Sequence, residues 1–397
     1  MQFIYAPWVF PVSSAPVKDG VLVLDRDKRM KDVLKPGDEE YFTAFELAEK
    51  HEGILTPGFI NAHCHLELSY LKGKVAKSTG LHGFVKDLMA VRKFSFDEEI
   101  NAAIETAENE MLANGIVAVG DISNHNFTFA QKAKRRLLYY TFIELFGLNP
   151  DKAEEIMENG VALYNELQKA LPDAPSAIAP HATYSLSLKL LKQVAEHSYL
   201  RDGVISIHNQ ETEGENEFFQ KGTGPIAEQM GRFGLDLTTW KPTGFNSMPS
   251  TLVHLPNCNK IILVHNTVST SADVEWANNY GKMIFWCLCP NANLYIENKL
   301  PDVVMLREKG AKIVIGTDSL ASNNSLSVLD ELKTIAANFP EIPTEELIKW
   351  GTLNGAEALG FKLQLGSFDK GKTPGVNLIS VDGDGKIYAD SKVLKIA

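Results

Sequence analysis

The chain has 397 residues, 44% of them hydrophobic and 22% charged, a profile that excludes a disordered or fibrous protein. Lys and Arg number 39 against 50 Asp and Glu, and the resulting net charge of −11 argues against nucleic acid or an anionic membrane surface as a partner. Four cysteines, Cys64, Cys258, Cys287 and Cys289, make no disulfide framework and fit a reducing cytoplasm. The apolar N-terminus MQFIYAPWVFPVSSAPV lacks a basic lead and is interrupted by prolines, so it reads as a strand and not as a signal peptide. No apolar run approaches the ~18 residues of a membrane span.

Residues 1 to about 52, including VLVLDRDKRMKDVL and DEEYFTAFELAEKHE, read as short strands and turns. From Gly53 onward, β-rich segments alternate with helical stretches. The eight expected strands are Ile54–His63, Ile116–Asp121, Leu137–Leu145, Ser176–His181, Val204–His208, Ile261–His265, Met283–Cys287 and Lys312–Thr317. Expected helices include Phe96–Asn114, Asp151–Leu171, Leu186–Ser198, Asp273–Tyr280 and Leu326–Asn338, each with apolar residues at three-to-four spacing. Eight such pairs predict an α/β protein, a (β/α)8 TIM-like barrel over residues 56–365. The β-rich ends, 1–55 and 366–397 (GSFDKGK, then VNLISVDGDGKIYAD), are each too short to bury a core and are expected to pair into one small composite β-sandwich module. Gly222–Pro256, the longest irregular piece, lies between strands five and six and is a candidate substrate cover.

The first chemical constellation is His63-Cys64-His65 at the end of ILTPGFINA. Residues two apart in a strand point the same way, so both imidazoles face one side. His208 closes VISIH, His265 closes IILVH and Asp318 follows IVIGT, and a barrel brings the ends of its strands to one face. Each has a plainer reading on its own, as a packed rim histidine or a helix-capping aspartate. Together, His63, His65, His208 and Asp318 supply the imidazole and carboxylate donors that zinc takes while keeping a position open for water. Glu211, in HNQE, can reach that water without being a ligand, as a proton shuttle requires. Its neighbours Glu213, Glu215 and Glu217 read as solvated acids. His265 suits charge stabilisation or orientation of the attacking water. Strand four ends in AIAPHATYS, where two-metal sites carry a bridging lysine, so a single metal is expected; His181 is read as a substrate contact and His125 as a rim residue. Cys287 and Cys289 form no CxxC pair, and no GxxxxGK[ST] or GxGxxG loop occurs, which argues against a thiolate zinc site and against a nucleotide-triphosphate or dinucleotide enzyme.

PGFINAHCHLE, HATYSLS, HNQE, LVHN, CPNANL and IGTDSLAS, in this order, resemble the amidohydrolase superfamily in its branch of mononuclear-metal deaminases and chlorohydrolases. The resemblance covers essentially the whole chain. It implies one divalent metal ion, zinc with iron(II) as the alternative, bound by His63, His65, His208 and Asp318, with Glu211, His265 and Asp318 as catalytic groups. HLELSYLKG, GFVKDLMAVR, ETEGENEFFQKGTGP and GTDSLASNNSLSVLDEL look most like the aminodeoxyfutalosine deaminases. Those remove the 6-amino group of an adenine nucleoside with a carboxyphenyl-ketone at its 5′ end, on the futalosine route to menaquinone. CPNANL departs from the Ser-Asn of many relatives, which bears on base contacts near Asn293.

The resemblance implies that Asp318 accepts a proton from water, that Glu211 protonates the ring nitrogen and then the leaving nitrogen, and that His265 steadies the attacking oxygen. Expected substrate contacts are His82, Phe84, His181, Asn293 and Ser319. Rival readings within the branch are an S-adenosylhomocysteine or methylthioadenosine deaminase, a guanine deaminase and a triazine-type chlorohydrolase; outside it, a metal-free structural barrel. The expected partner is a small purine nucleoside, with a homodimer left open.

Overall fold

The computed structural model describes residues 1–92, 97–238, 240–280, 283–381 and 385–397. The N-terminal segment forms β1 (Gln2–Val9), β2 (Val17–Leu24), β3 (Met30–Leu34), β4 (Glu49–Lys50) and β5 (Ile54–Pro57). Eight further strands follow: β6 (Phe59–Cys64), β7 (Ile116–Ser123), β8 (Leu138–Leu145), β9 (Ser176–Pro180), β10 (Ile205–Asn209), β11 (Lys260–His265), β12 (Met283–Leu288) and β13 (Lys312–Ile315). The C-terminal segment adds β14 (Val376–Ile379) and β15 (Val393–Lys395).

The two ends of the chain meet in one seven-stranded sheet of order β15-β14-β5-β1-β2-β3, with β4 beside β1. β5 joins them: it pairs parallel to β1 (Trp8 with Ile54) and antiparallel to β14 (Ile379 with Ile54). β2 carries the run Val21-Leu22-Val23-Leu24 because both its faces are covered. Leu22 and Leu24 pack with Ile4, Met30 and Leu55 on one side, and Val21 and Val23 pack with Tyr41 and Ala44 on the other.

Several details depart from the sequence expectation. Residues 41–47, read as strand and turn, form a helix whose Tyr41 and Ala44, three apart, both turn toward the sheet. GSFDKGK forms no strand; Ser13 and Ser367 donate to the Asp369 carboxylate and Lys372 pairs with it, tying the segment into turns. Residues 382–384 of the expected C-terminal strand lie outside the described residues, as does Phe96 at the head of an expected helix. The expected strand Ile54–His63 is two strands. Pro57 lacks a donor and Gly58 lets the backbone pass so closely that a Cβ there would meet Val117 Cγ1 at 2.4 Å and Pro374 O at 2.8 Å. The chain therefore changes sheet at Gly58.

β6 to β13 run parallel in two four-stranded sheets, β6-β7-β8-β9 and β10-β11-β12-β13. Single bridges join the sheets at both seams. Cys64 pairs with Asp318, and Thr317 N donates to His63 O at 3.0 Å; Ala182 pairs with His208, whose N donates to His181 O at 2.9 Å. Adjacent residues of β11 enter different apolar clusters, Ile261 and Leu263 one and Ile262 and Val264 the other, the mark of a strand covered on both faces. Helices Asp97–Ala113, Ala153–Ala170, Leu188–Leu200, Ser271–Asn279 and Val328–Asn338 lie within a few residues of expectation. Ser187, Thr270 and Ser327 start three of them by accepting backbone N–H bonds.

The segment 222–256, expected to be irregular, contains helices Gly224–Arg232 and Ser247–Leu252; Pro225 opens the first. Trp240 stacks on Phe218 at 4.0 Å between ring centroids and fastens the segment to helix Glu213–Lys221. None of the described helices is long and apolar enough to cross a membrane.

Candidate metal and catalytic centre

The parallel strands end at one rim, and that rim carries the chemistry. His63 lies at the end of β6, and His65 opens the 3-10 turn Leu66–Leu71 that follows. His208 lies in β10, His265 ends β11 and Asp318 follows β13. Gln210, His265, Asn266 and Asp318 all have φ between +47° and +75°, a region that non-glycine residues rarely occupy. Such backbone geometry persists where surrounding bonds hold it. Asn266 shows how: its Nδ2 donates to Leu263 O at 2.8 Å and its Oδ1 accepts from Asn209 Nδ2 at 3.0 Å.

His63, His65 and His208 each present a ring nitrogen within 4.8 Å of those of the other two. His65 Nε2 and His208 Nε2 are 3.4 Å apart, and Asp318 Oδ1 lies 3.7 Å from His63 Nε2 and 3.5 Å from His65 Nε2. All four side chains are buried. Both ring nitrogens of His63 and Nδ1 of His65 have no hydrogen-bond partner, although buried polar groups almost always find one. The orphaned His63 Nε2 and the His65 Nε2 both face the Asp318 carboxylate, an arrangement that fits a divalent cation, and an N3O donor set suits zinc or iron(II). Burial, with the neighbouring His63 imidazole, pushes His65 down to about 4, and burial with the surrounding imidazoles holds His208 well below its usual value. Both rings are thus neutral, the ligating form. His208 Nδ1–H donates to His181 O at 2.6 Å, which leaves Nε2 free for the cluster.

Glu211 is buried beside this cluster, its Oε1 3.8 Å from His265 Nε2. Burial pushes its carboxyl up to about 7, against the pull of His265. Burial alone would lower His265, but Glu211 and Asp318 outweigh it and raise the imidazole above its usual value. On the far side of the ring, His265 Nδ1–H donates to Asn293 Oδ1 at 2.8 Å. Asn293 Nδ2 is buried with no partner, a donor open to a ligand. Ser322 Oγ donates to Asp318 Oδ2 at 2.5 Å and lies 3.1 Å from Ser319 Oγ.

Sequence reasoning missed several groups. Glu215, read as a solvated acid, is buried at the start of helix Glu213–Lys221; it accepts from Gln210 N at 2.8 Å, Glu211 N at 3.2 Å and Thr183 Oγ1 at 2.6 Å. Glu144, at the end of β8, sits 3.7 Å from His208 Nδ1 and groups with His181 and His208. Its strand-end position was the available signal. Ser322 carried none beyond its proximity to Asp318.

The expected substrate contacts divide. His181 reaches the centre, its ring centroid 4.8 Å from that of His208, and Asn293 and Ser319 join it through His265 and Ser322. Phe84 packs in the main apolar core. His82 lines a separate cavity between helices Gly80–Arg92 and Gly224–Arg232, with Met89 and Arg232. Two other cavities flank the centre. One of about 270 Å³ is lined by Glu144, Asn124, Phe146, Leu163, Asn159 and Arg92, with Asn124 Nδ2 donating to Glu144 Oε2 at 3.0 Å; one of about 670 Å³ lies between Tyr184, Leu186, Phe218 and Trp240.

Parallel strands whose ends gather three imidazoles and a carboxylate form a centre whose donors suit a metal ion. The family model described as Amidohydrolase family matches residues 54–395, and the chain belongs to that family. It is a hydrolase of C–N bonds. It is similar to a 5-methylthioadenosine/S-adenosylhomocysteine deaminase of Teredinibacter turnerae, 25% identical over 95% of this chain and 83% of the relative. It is also similar to 5-methylthioadenosine/S-adenosylhomocysteine deaminase 1 of Archaeoglobus fulgidus, 29% identical over 77% of this chain and 69% of the relative. Among solved structures, Helicobacter pylori aminofutalosine deaminase in complex with methylthio-coformycin shares the fold with a TM-score of 0.81 at 24% identity, over 96% of this chain and 93% of that one. A zinc-bound adenosine deaminase of Xanthomonas campestris shares it with a TM-score of 0.72 at 22% identity, over 96% and 85%.

Proposed function

We propose that the protein removes the 6-amino group of an adenine nucleoside by hydrolysis, releasing ammonia, and that its substrate is aminodeoxyfutalosine. The observation that carries the chemistry is the placement of Glu211: a buried carboxyl beside the histidine cluster, opposite His265 and tied through its own N–H to Glu215. His63, His65, His208 and Asp318 would hold a divalent cation, which would supply Lewis acidity there and lower the pKa of water from 15.7 toward about 7. Glu211, protonated near neutral pH, donates to the ring nitrogen beside the amino-bearing carbon, and water adds to that carbon. Asp318 takes the proton that water gives up; its Oδ2 is engaged by Ser322 and its Oδ1 faces the imidazoles. His265 stabilises the negative charge that builds on the adding oxygen. Glu211, left ionised by its transfer to the ring nitrogen, takes the hydroxyl proton of the adduct and passes it to the exocyclic nitrogen; the carbonyl forms as the C–N bond breaks and ammonia leaves, and the proton on Asp318 returns to Glu211 through solvent.

The cavity lined by Glu144 and Arg92 supports the narrower substrate. Its lining is apolar at Leu145, Phe146, Ile156 and Leu163 and also carries Arg92 and the amides of Asn124 and Asn159. An aromatic 5′ substituent with a carboxylate suits those walls and that cation. The second reading, a 5-methylthioadenosine/S-adenosylhomocysteine deaminase, is favoured by the names of the curated relatives. We read β6 to β13 as one (β/α)8 barrel on the strength of the bridges at both seams, with the terminal sheet as its companion module.

The test is ammonia release by metal-loaded protein with aminodeoxyfutalosine, methylthioadenosine, S-adenosylhomocysteine, adenosine and guanine. The reading expects kcat/KM for aminodeoxyfutalosine at least about a hundredfold above the others, a margin of roughly 2.7 kcal/mol in the barrier. A preference for methylthioadenosine overturns the narrow substrate, and a preference for guanine overturns the adenine reading.

A further inference from the structure

Behind the histidine cluster lies an ion pair sealed from solvent. Lys132 Nζ sits 2.6 Å from Asp121 Oδ2, and both side chains are 0% exposed. Lys132 also donates to Ser123 Oγ and Thr141 Oγ1, each at 3.1 Å, so three oxygens surround the ammonium. The other oxygen of the carboxylate, Asp121 Oδ1, accepts the N–H of Leu66 at 2.8 Å. That N–H belongs to the peptide joining His65 to Leu66. The strand register sets Asp121 beside Cys64 on one side and Thr141 on the other, so the pair spans β6, β7 and β8 at the level of the two histidines.

Burying two charges is costly, and apolar residues of similar volume generally stabilise a fold as well or better. Stability alone is therefore a poor account of Lys132 and Asp121. Their geometry offers another. His65 stands where β6 has ended and its backbone leaves the strand, with φ −115° and ψ 76°. Beyond Leu68 N, which donates to His65 O at 3.1 Å, the contact that fixes this peptide is the Asp121 carboxylate, and Lys132 fixes the carboxylate.

We propose that Asp121 and Lys132 are positioning residues for the metal clip: through the Leu66 N–H they hold His65 at the angle that lets its Nε2 converge with those of His63 and His208. Neither touches the cation or the substrate. Removing partners that orient metal ligands typically costs 10- to 100-fold in metal affinity.

The experiment measures zinc affinity, by equilibrium transfer from the zinc-loaded full-length protein to a chromophoric chelator, together with the thermal midpoint. Lys132→Met is expected to weaken zinc binding about 10- to 100-fold. Two double variants separate positioning from the damage of a buried unpaired charge. Asp121→Asn with Lys132→Met removes both charges but keeps a carbonyl acceptor for Leu66 N–H, and is expected to bind zinc within about threefold of the wild type, well inside the loss typical of a missing orienting partner. Asp121→Leu with Lys132→Met removes the acceptor too, and is expected to lose about 10- to 100-fold. Glu108→Gln is the stability control: Glu108 is buried and accepts from Tyr139 Oη at 2.9 Å and Arg136 at 3.2 Å, and none of its bonds goes to the 3-10 turn. It should lower the thermal midpoint and leave zinc affinity alone. Equal zinc affinities in the two double variants overturn the proposal, whichever nucleoside the enzyme prefers.

Discussion

Asn293 Oδ1 accepts a hydrogen bond from His265 Nδ1 at 2.8 Å, and this contact decides which ring nitrogen faces the centre. That bond turns Nε2 toward Glu211, 3.8 Å away. Asn293→Ala frees the ring to rotate and removes the unpartnered Nδ2 donor as well. The expected loss is about 10- to 100-fold in kcat/KM, roughly the 1.5–3 kcal/mol of a hydrogen bond to a charged group. Steady-state ammonia release measures it, and a variant within twofold of the wild type would detach Asn293 from the mechanism.

Glu211 should set the alkaline limb of the pH profile. Its carboxyl, pushed up to about 7 by burial, must be protonated to act as the acid. As pH rises through that value the protonated fraction falls tenfold per unit, so kcat/KM falls with it. Glu211→Gln should keep its metal, lose about 10²- to 10⁴-fold in kcat, and lose the alkaline limb. A limb that persists unchanged in Glu211→Gln assigns the titration to another group.

Glu215 shows where a linear reading of the sequence fails. The run ETEGENE is dense in acids, and a helix placed there from periodicity alone gives no reason to turn one of them inward. The structure turns Glu215 in because Gln210, at φ +47°, folds the chain back over the first turn of the helix. Its carboxylate then receives the backbone donors of Gln210 and Glu211. The histidines and Asp318 were legible for the opposite reason: strand periodicity fixes where a strand ends, and each stands at such an end. Gly58 was only half legible. Pro-Gly marks a break, yet nothing local says that the chain crosses between two sheets there, since Val117 and Pro374 lie far along the sequence. The cavity at Arg92 was unreadable, because its lining comes from helix Gly80–Arg92, the ends of β7 and β8 and helix Ala153–Ala170, pieces far apart in sequence that only the fold brings together.

The same geometry makes Glu215→Gln informative. An amide in that place sets an N–H against one of the backbone donors it should receive. The variant should lose about 1–3 kcal/mol of stability, the usual cost of an unsatisfied buried group. Because the displaced donor belongs to Gln210 or Glu211, kcat should fall about tenfold as well, equivalent to 1.36 kcal/mol in the barrier. Chemical denaturation and steady-state rates test the two halves. Destabilisation with an unchanged kcat would confine Glu215 to the fold.

Arg92 offers the sharpest separation between substrates. It ends helix Gly80–Arg92, its side chain is 30% exposed, and one guanidinium nitrogen lies 3.6 Å from Glu67 Oε1. The Glu67 carboxyl is pushed up to about 8 by burial, against the pull of Arg92. Removing Arg92 raises it further, so at neutral pH Arg92→Met leaves a protonated, uncharged acid and not a buried anion. Linkage gives the same sign: with its folded pKa above the unfolded value, Glu67 favours the fold at low pH and loses that contribution as pH rises through about 8. The structural damage at pH 7 is therefore small, and the kinetics can be read directly. If the guanidinium receives an aryl carboxylate, KM for aminodeoxyfutalosine should rise about 10- to 100-fold with kcat nearly constant, the pattern of lost uniform binding. Methylthioadenosine, which has no carboxylate, should be turned over as before. Equal losses for both substrates would leave the cavity at Arg92 without a role in selecting them.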